Sequence, residues 1–277
     1  MKKTIYYQDE INDDFFSGKK YNRIKIDGNY KYLPQNFFKK LYSFVLYYFF
    51  AWPFLSFYMF VVQRVKINDR QNLKELKKRG YMIVGNHTHY TDAYVSQIGI
   101  TRPRRTYIIA NENTVQIPLI GGLVKALGAL PTPRNLSGLK NFESVLKKIF
   151  KKNQIVCVFP EAHIWPYYTG LRPFPLTCFK IASKNKVPVV PIATTYKKRR
   201  GFLKPKAIIF VGKPIFYNKN LTILQNAEYY RNMSQEFIKN ILSSKDNYEY
   251  IKYVRNQKDQ TNENNICNTQ QTQITTS

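Results

Sequence analysis

The sequence predicts an α/β domain whose mostly parallel central sheet is flanked by helices, with an N-terminal membrane-embedded helical segment. Short β-branched strands alternate with amphipathic helices through the middle of the chain, which is typical of a parallel sheet. Residues 41–62 carry no charge and form a single long apolar run. Hydrophobic residues make up 44% of the 277 residues. That is enough to build a core and excludes a wholly disordered chain.

The chain divides into five predicted sections. A polar leader (1–38) precedes a membrane-anchoring apolar segment (39–66), and an α/β domain follows (67–217). A C-terminal helix (218–253) leads into a tail (254–277) that is rich in Asn, Gln and Thr. We expect this tail to be disordered because it has few apolar residues to bury.

The apolar run reads LYSFVLYYFFAWPFLSFYMFVV. Its length suits a spanning helix of about 20 residues. However, Tyr and Trp favour the water–lipid interface, and Pro53 is expected to kink or break a helix. Two limbs of roughly 18 Å each would fall short of the ~30 Å hydrocarbon core. A spanning helix, a half-embedded hairpin and a buried core helix are all open, and basic residues at both ends give no orientation.

Strand and helix patterns then alternate along the chain. Short apolar strands are predicted at 81–85, 106–110, 155–159, 187–194 and 206–212. Amphipathic helices are predicted at 137–150, 175–185 and 221–243. Ser137 is the expected N-cap of the first of these helices.

The chain is strongly basic, with 44 Lys and Arg against 17 Asp and Glu and a formal net charge of +27. Codon bias in an AT-rich genome would also enrich lysine. Between Glu75 and Glu228, however, acidic residues are sparse, which predicts a positive field suited to anionic substrates and an anionic membrane surface. No nucleic-acid-binding motif is present, so we expect no nucleic-acid partner. A non-enzymatic basic protein is the alternative that charge alone would support.

The three cysteines are too far apart for a CxxC motif or a disulfide scaffold. They are Cys157, Cys178 and Cys267. A reducing, cytosolic environment is therefore expected. Cys157 lies in a buried strand pattern, where a free cysteine usually acts as a small hydrophobe and not as a nucleophile.

The three histidines follow predicted strands, where catalytic groups of α/β domains collect. If a helix begins just after His87, Asp92 can turn back onto the imidazole and make it a general base. A histidine that only caps a helix is the simpler alternative. His87, His89 and Asp92 also resemble a metal-ligand cluster, which would indicate a metal-dependent hydrolase.

The second segment is Phe159-Pro160-Glu161-Ala162-His163, at the end of the strand predicted at 155–159. Glu161 is the only carboxylate between Glu143 and Glu228. It is either a functional carboxylate or a loop glutamate that pairs with the surplus of Lys and Arg.

Taken together, the segments resemble the glycerophospholipid acyltransferase family, which contains the 1-acylglycerol-3-phosphate acyltransferases. The resemblance covers roughly residues 80–195 and rests on four ordered blocks. These are Asn86-His87 with Asp92; Ile117-Pro118-Leu119-Ile120-Gly121 with Gly128-Ala129 and Arg134; Phe159-Pro160-Glu161; and Val187-Pro188-Val189-Val190-Pro191.

The resemblance implies that His87, oriented by Asp92, deprotonates an acceptor hydroxyl, which attacks an acyl thioester without a covalent enzyme intermediate. Asn86 would contribute to substrate binding, Arg134 would hold the acceptor phosphate, and Glu161 would fix its glycerol end. No metal and no cofactor are implied, because the donor is itself the substrate acyl-CoA or acyl carrier protein. The acceptor would be a lysophospholipid or glycerol phosphate.

One departure from the family pattern concerns the third block. The family continues Gly-Thr-Arg-Ser, whereas this chain has Ala162-His163-Ile164-Trp165. Arg172 is the nearest basic residue that could replace the missing arginine. His163 is either a substitute phosphate donor or a structural residue.

The resemblance and the apolar run together predict a membrane protein whose catalytic domain lies on the cytoplasmic side. An anionic membrane surface is the expected partner, and an acyl carrier protein is a further candidate.

Overall fold

The computed structural model describes residues 3–15, 24–201 and 203–256. Cys267 and residues 257–277 of the predicted tail lie outside these ranges.

A seven-stranded sheet forms the centre of the domain, in the order β2-β8-β7-β3-β6-β4-β5. Its strands are β2 (Lys66–Asn68), β3 (Tyr81–Gly85), β4 (Thr106–Ala110), β5 (Ala129–Pro131), β6 (Ile155–Val158), β7 (Val189–Lys197) and β8 (Lys206–Val211). All neighbouring pairs are parallel except β7 with β8. The predicted mostly parallel sheet is therefore confirmed. The short strands β2 and β5 form its edges.

Helices cover both faces of the sheet. They are α1 (Phe37–Val45), α2 (Trp52–Phe57), α3 (Asp92–Tyr94), α4 (Gly121–Ala126), α5 (Leu136–Lys151), α6 (Thr177–Lys184) and α7 (Ile223–Ser244). Successive side chains of β3 point to opposite faces, so Met82 and Val84 join one core cluster while Tyr81 and Ile83 join the other. Helix α5 begins at Leu136, one residue before the predicted cap. Its N-cap is Asn135 and not Ser137, because the Asn135 carboxamide oxygen accepts the Gly138 N–H at 2.7 Å.

The helix Phe37–Val62, here called the apolar helix, includes α1 and α2 and continues without a break through Pro53. The split at Pro53 that the half-embedded hairpin would require does not occur. A wide π-helical turn, Leu46–Ala51, precedes the proline, and Pro53 enters in the first turn of α2, where its missing N–H does little harm. The apolar helix is long and apolar enough to cross a membrane, by length and composition.

One side of the apolar helix packs against the domain. Ser43, Tyr47 and Met59 are buried along this side. The Tyr47 hydroxyl donates to the Gln97 carbonyl at 3.2 Å, and the Ser43 hydroxyl donates to the Ala126 carbonyl at 2.6 Å. The opposite side is exposed and mostly aromatic: it carries Phe37, Phe38, Phe49, Phe50, Phe54 and Phe57.

A second, two-stranded parallel sheet joins the two ends of the described chain. It pairs β1 (Lys3–Tyr7), from the predicted leader, with β9 (Ile251–Arg255). Helix α7 ends at Ser244, and β9 occupies the end of the predicted C-terminal helix and the first two residues of the predicted tail. Trp165, which is fully buried, lies beneath this small sheet.

Candidate active site

His87 and Asp92 meet at the carboxyl end of β3. The His87 Nδ1 lies 3.1 Å from the Asp92 Oδ2, as the spacing predicts. The same carboxylate oxygen accepts the backbone N–H groups of Thr88 and His89, each at 2.9 Å. Asp92 is thus fixed at the start of α3, and a hydrogen bond to Nδ1 leaves Nε2 as the basic nitrogen of His87.

Phe159 supports the other side of the His87 ring. The two rings stack with centroids 4.5 Å apart and an interplanar angle of 15°. Phe159 follows β6, which pairs directly with β3. Neighbouring strands therefore bring together the two segments that the sequence singled out, which lie far apart along the chain.

Glu161 lies behind His87, where its side chain is completely buried. Its carboxylate accepts the His87 backbone N–H at 2.9 Å and the Arg172 backbone N–H at 2.9 Å. The Arg172 Nη2 donates to it at 3.1 Å. In this geometry its oxygens face the protein, and the role of Glu161 at the glycerol end of an acceptor stays a prediction.

Arg172 is also withdrawn from any ligand, since its side chain is 1% exposed. Its guanidinium lies 4.8 Å above the Trp165 ring and donates to the Glu10 carbonyl at 3.4 Å and to the His163 carbonyl. A buried charge needs a partner of opposite charge, and Glu161 supplies it. Arg172 as a replacement for the missing third-block arginine therefore stays a prediction, and the buried pair with Glu161 does not favour it.

Asn86 likewise turns away from substrate. Its amide Nδ2 donates to the Thr194 carbonyl at 3.0 Å, and its Oδ1 accepts the Thr194 N–H at 2.8 Å. This pair of bonds attaches the end of β3 to β7. The substrate-binding role of Asn86 stays a prediction, and in this structure its side chain joins two strands.

His163 does face the cavity that His87 lines. Its Nδ1 lies 2.8 Å from the Asp14 Oδ2, and both side chains are partly exposed. Asp14 lines the same cavity, although it belongs to the predicted leader. Sequence reasoning missed Asp14, because nothing in a polar leader indicates that it folds back onto residues about 150 positions away.

Arg134 lies farther away, after the edge strand β5. Its side chain is 64% exposed and pairs with Glu112, whose side chain is 12% exposed. The structure does not bring Arg134 into direct contact with His87, yet its guanidinium remains accessible to a ligand that can compete with Glu112.

The His89 side chain has hydrogen-bond partners of its own. Its Nδ1 lies 2.6 Å from the Thr91 hydroxyl, and burial lowers the pKa of its imidazole below the usual value. Among residues 3–15, 24–201 and 203–256, no group of three His, Cys, Asp or Glu side chains is placed to hold a metal ion. The geometry thus does not assemble the ligand cluster of the hydrolase alternative.

The two described cysteines are poor nucleophiles. Burial raises the thiol pKa of both Cys157 and Cys178 to about 12. A thiol with so high a pKa is almost entirely protonated at neutral pH. This agrees with the expectation that Cys157 only packs.

A cavity of about 1060 Å³ opens beside His87. The apolar helix forms one wall with Leu46, Phe50 and Phe54, and the sheet and α4 form the opposite wall with Ile108, Leu123 and Leu127. The cavity is therefore a mostly apolar chamber that is also lined by His87 of the histidine–aspartate pair, a form common in small-molecule sites.

Comparisons with known proteins agree with this geometry. Residues 64–195 match the family model described as Acyltransferase. One matching solved structure is that of the 1-acyl-sn-glycerophosphate (LPA) acyltransferase, PlsC, from Thermotoga maritima, with 18% sequence identity and a TM-score of 0.50. The match covers 74% of this chain and 95% of that chain, which shows a shared fold. The comparison with curated protein sequences gave no match. The matched blocks, the shared fold and the histidine–aspartate pair at the cavity assign residues 64–195 of this chain to the acyltransferase family.

Proposed function

We propose that this protein transfers a fatty acyl group from an acyl thioester to a hydroxyl of a glycerol-phosphate lipid such as 1-acylglycerol-3-phosphate, in phospholipid biosynthesis. The observation that carries the proposal is His87, which is held through Nδ1 by Asp92 and lines a large, mostly apolar cavity. Acyl-CoA and acyl carrier protein are the two candidate donors.

In the proposed reaction, the His87 Nε2 takes the proton of the acceptor hydroxyl. The resulting oxygen attacks the thioester carbonyl, the carbon–sulfur bond breaks, and the thiolate leaves with the proton that the imidazolium returns. Asp92 stabilises the imidazolium without accepting the proton itself. Neither buried cysteine is suited to an acyl-enzyme intermediate, so a direct transfer fits the site best.

The cavity walls suit the acyl chain. An alkyl chain buried between the apolar helix and α4 would leave water at a gain of about 0.8 kcal/mol per CH₂. The exposed aromatic side of the same helix would lie in the lipid, so substrates could enter the cavity from the bilayer. The acceptor phosphate is proposed to bind Arg134, in competition with the Glu112 carboxylate.

The same arrangement supports membrane association with the apolar helix in the plane of the interface. The helix is attached to the domain near both ends, through Ser43 and Met59. A helix that crossed the bilayer would carry the packed domain with it. Lys39 and Arg64, one at each end, can both reach headgroups if the helix lies flat. We propose the cytoplasmic face as the location of the domain.

The experiment is a panel of donors and acceptors offered to the purified protein, with lipid products identified by mass spectrometry. His87→Ala should lower turnover by ~10²–10⁴, the usual loss when a general base is removed. Asp92→Asn should give an intermediate rate, because the ring loses its anionic partner.

His89→Gln is the matched control. It removes a histidine two positions away and should retain turnover, provided that its thermal unfolding matches the wild type. Loss of turnover in His89→Gln together with rescue by added zinc would favour the hydrolase alternative. Wild-type turnover in His87→Ala would overturn the proposed function.

A further inference from the structure

The connection between β7 and β8, together with the strand residue at each of its ends (197–206), is here called the basic loop. It concentrates positive charge: Lys197, Lys198, Arg199, Arg200, Lys204 and Lys206. No acidic residue occurs in the sequence between Glu161 and Glu228 to balance them locally. Lys198, Arg200 and Lys204 are exposed.

The charges of the basic loop repel one another in the folded chain. Lys197 and Lys206 face each other directly in the antiparallel register of β7 and β8, and like charges in that position destabilise a sheet. Lys197 approaches Asp246 at 3.7 Å, but both side chains are more than half exposed, so this pair adds little. Folding therefore places the cations together without neutralising them.

The basic loop lies beside the end of the apolar helix. The Arg199 guanidinium approaches the carbonyl of Val62, the last residue of that helix, at 3.5 Å. Val61, Val62 and Leu203 are exposed at this junction. The basic surface is thus continuous with the exposed apolar side of the helix.

We propose that the basic loop binds anionic lipid headgroups at the surface of the membrane in which the apolar helix lies. This inference rests on the proposed membrane association and names its lipid preference. An adjacent apolar surface distinguishes a lipid interface from a site for a soluble acidic protein, because Leu203 and the helix end would enter the interface while the cations meet phosphates.

The test uses the full-length protein with sealed vesicles of phosphatidylcholine alone, or of equal parts phosphatidylcholine and phosphatidylglycerol. The loop variant combines Lys198→Gln, Arg200→Gln and Lys204→Gln. Its matched control removes the same charge from the exposed side of α5 with Lys147→Gln, Lys148→Gln and Lys151→Gln. Arg199 is left intact because it contacts backbone.

The wild type should prefer anionic vesicles, and this preference should weaken as salt rises. The loop variant should lose about tenfold or more of the preference, whereas the α5 variant should keep most of it. Both variants should bind phosphatidylcholine vesicles like the wild type, through the apolar helix, and should unfold at the wild-type temperature.

Equal loss in the loop and α5 variants would mean that only net charge matters, and would overturn the proposal. An unchanged preference in the loop variant, accompanied by poor turnover with acyl carrier protein as donor, would assign the loop to an acidic protein instead. If neither vesicle is bound, the membrane association fails and the loop proposal fails with it. Vesicle binding is measured without turnover, and His87→Ala should bind as the wild type does, so failure of the acyltransferase proposal would be seen separately.

Discussion

The Glu161 side chain accepts a hydrogen bond from the backbone of His87, which makes a buried carboxylate part of the support of the general base. Arg172 neutralises that carboxylate and donates to it through both its backbone and its guanidinium. The Glu161–Arg172 pair therefore holds the backbone of His87 in place, while Asp92 orients the imidazole ring. A loop glutamate that pairs with a basic residue was one of the two sequence-based interpretations, and the buried Arg172 is the partner that such a pair would have.

Glu161→Gln is predicted to lower kcat while leaving the KM for the acceptor nearly unchanged. The amide keeps the shape of the carboxylate but presents a donor to the His87 N–H or to Arg172, which shifts the base and leaves the arginine charge without its partner. Arg172→Met should destabilise the fold by about 3–5 kcal/mol, because it leaves a buried carboxylate unpaired. Steady-state kinetics and chemical unfolding measure the two effects.

Lys184→Met is the matched control for the ion pair. Lys184 pairs with Glu143 at 3.0 Å on the surface, so its removal should cost at most about 1 kcal/mol and leave kcat unchanged. A large rise in acceptor KM for Glu161→Gln, with kcat unchanged, would return Glu161 to the acceptor-binding role that the family resemblance implied.

At the scale of elements, the order of strands in the sheet determines which residues meet at the site. Strand β3 lies between β6 and β7. The His87 segment therefore receives Phe159 and Glu161 from one neighbour, while Asn86 bonds to Thr194 on the other. The cavity also needs the apolar helix, which forms one of its walls.

The apolar helix is predicted to place both of its ends on the same side of the membrane. Lys39→Cys and Arg64→Cys, in a protein whose Cys267 is replaced by Ser, should both react with a membrane-impermeant thiol reagent from the face that carries the domain. The reason is that the helix is attached to the domain near each end, and a helix lying in the interface exposes both flanks to the same aqueous phase.

Cys157 and Cys178 are buried and should not react in sealed vesicles, so the protein without added cysteines is the background control. Labelling of the two flanks from opposite faces would show that the helix spans the bilayer, and the in-plane arrangement would then be wrong.

At the scale of the whole molecule, the small sheet formed by β1 and β9 packs against Trp165, in the segment that follows the third block. Tyr253 of β9 stacks on Trp165 with centroids 5.1 Å apart and an angle of 11°, and its hydroxyl donates to the Pro166 carbonyl at 2.9 Å. The Trp165 indole N–H donates to the Asp13 carbonyl at 2.8 Å. The two ends of the described chain thus cover the segment that departs from the family pattern.

Removal of β9 is therefore predicted to destabilise this region. A chain that ends after Tyr250 should unfold at a lower temperature, and Trp165 emission should shift to the red as its ring meets water. The readout needs a Trp52→Phe background, because Trp52 is the second tryptophan. Tyr253→Ala, which removes only the stacked ring, should cost on the order of 2 kcal/mol.

A chain that ends after Asn256 is the control. It keeps β9 and removes only the expected disordered tail, so its unfolding temperature and emission should equal those of the full chain. If shortening to Tyr250 also changes nothing, the β1–β9 sheet does not support the third block.

The sequence by itself determined the fold class, the positions of the main strands along the chain and the histidine–aspartate pair. These follow from local patterns: strand and helix periodicities are read within short windows, and His87 reaches Asp92 across only five positions. The same local patterns found the apolar helix but not its side-by-side packing on the domain, and they left open whether Pro53 breaks the helix.

Only the tertiary structure decided which polar residues line the cavity. The family resemblance implied substrate-binding roles for Asn86 and Glu161, and Arg172 was the nearest basic residue that could replace a missing arginine. In the structure, their side chains are buried and bonded to partners on other strands and loops. Asp14 is the opposite case: it belongs to the predicted leader, yet it lines the cavity beside His163. Burial and pairing of a charge depend on residues distant in sequence, because desolvation must be offset by whichever partner the fold brings within hydrogen-bonding distance.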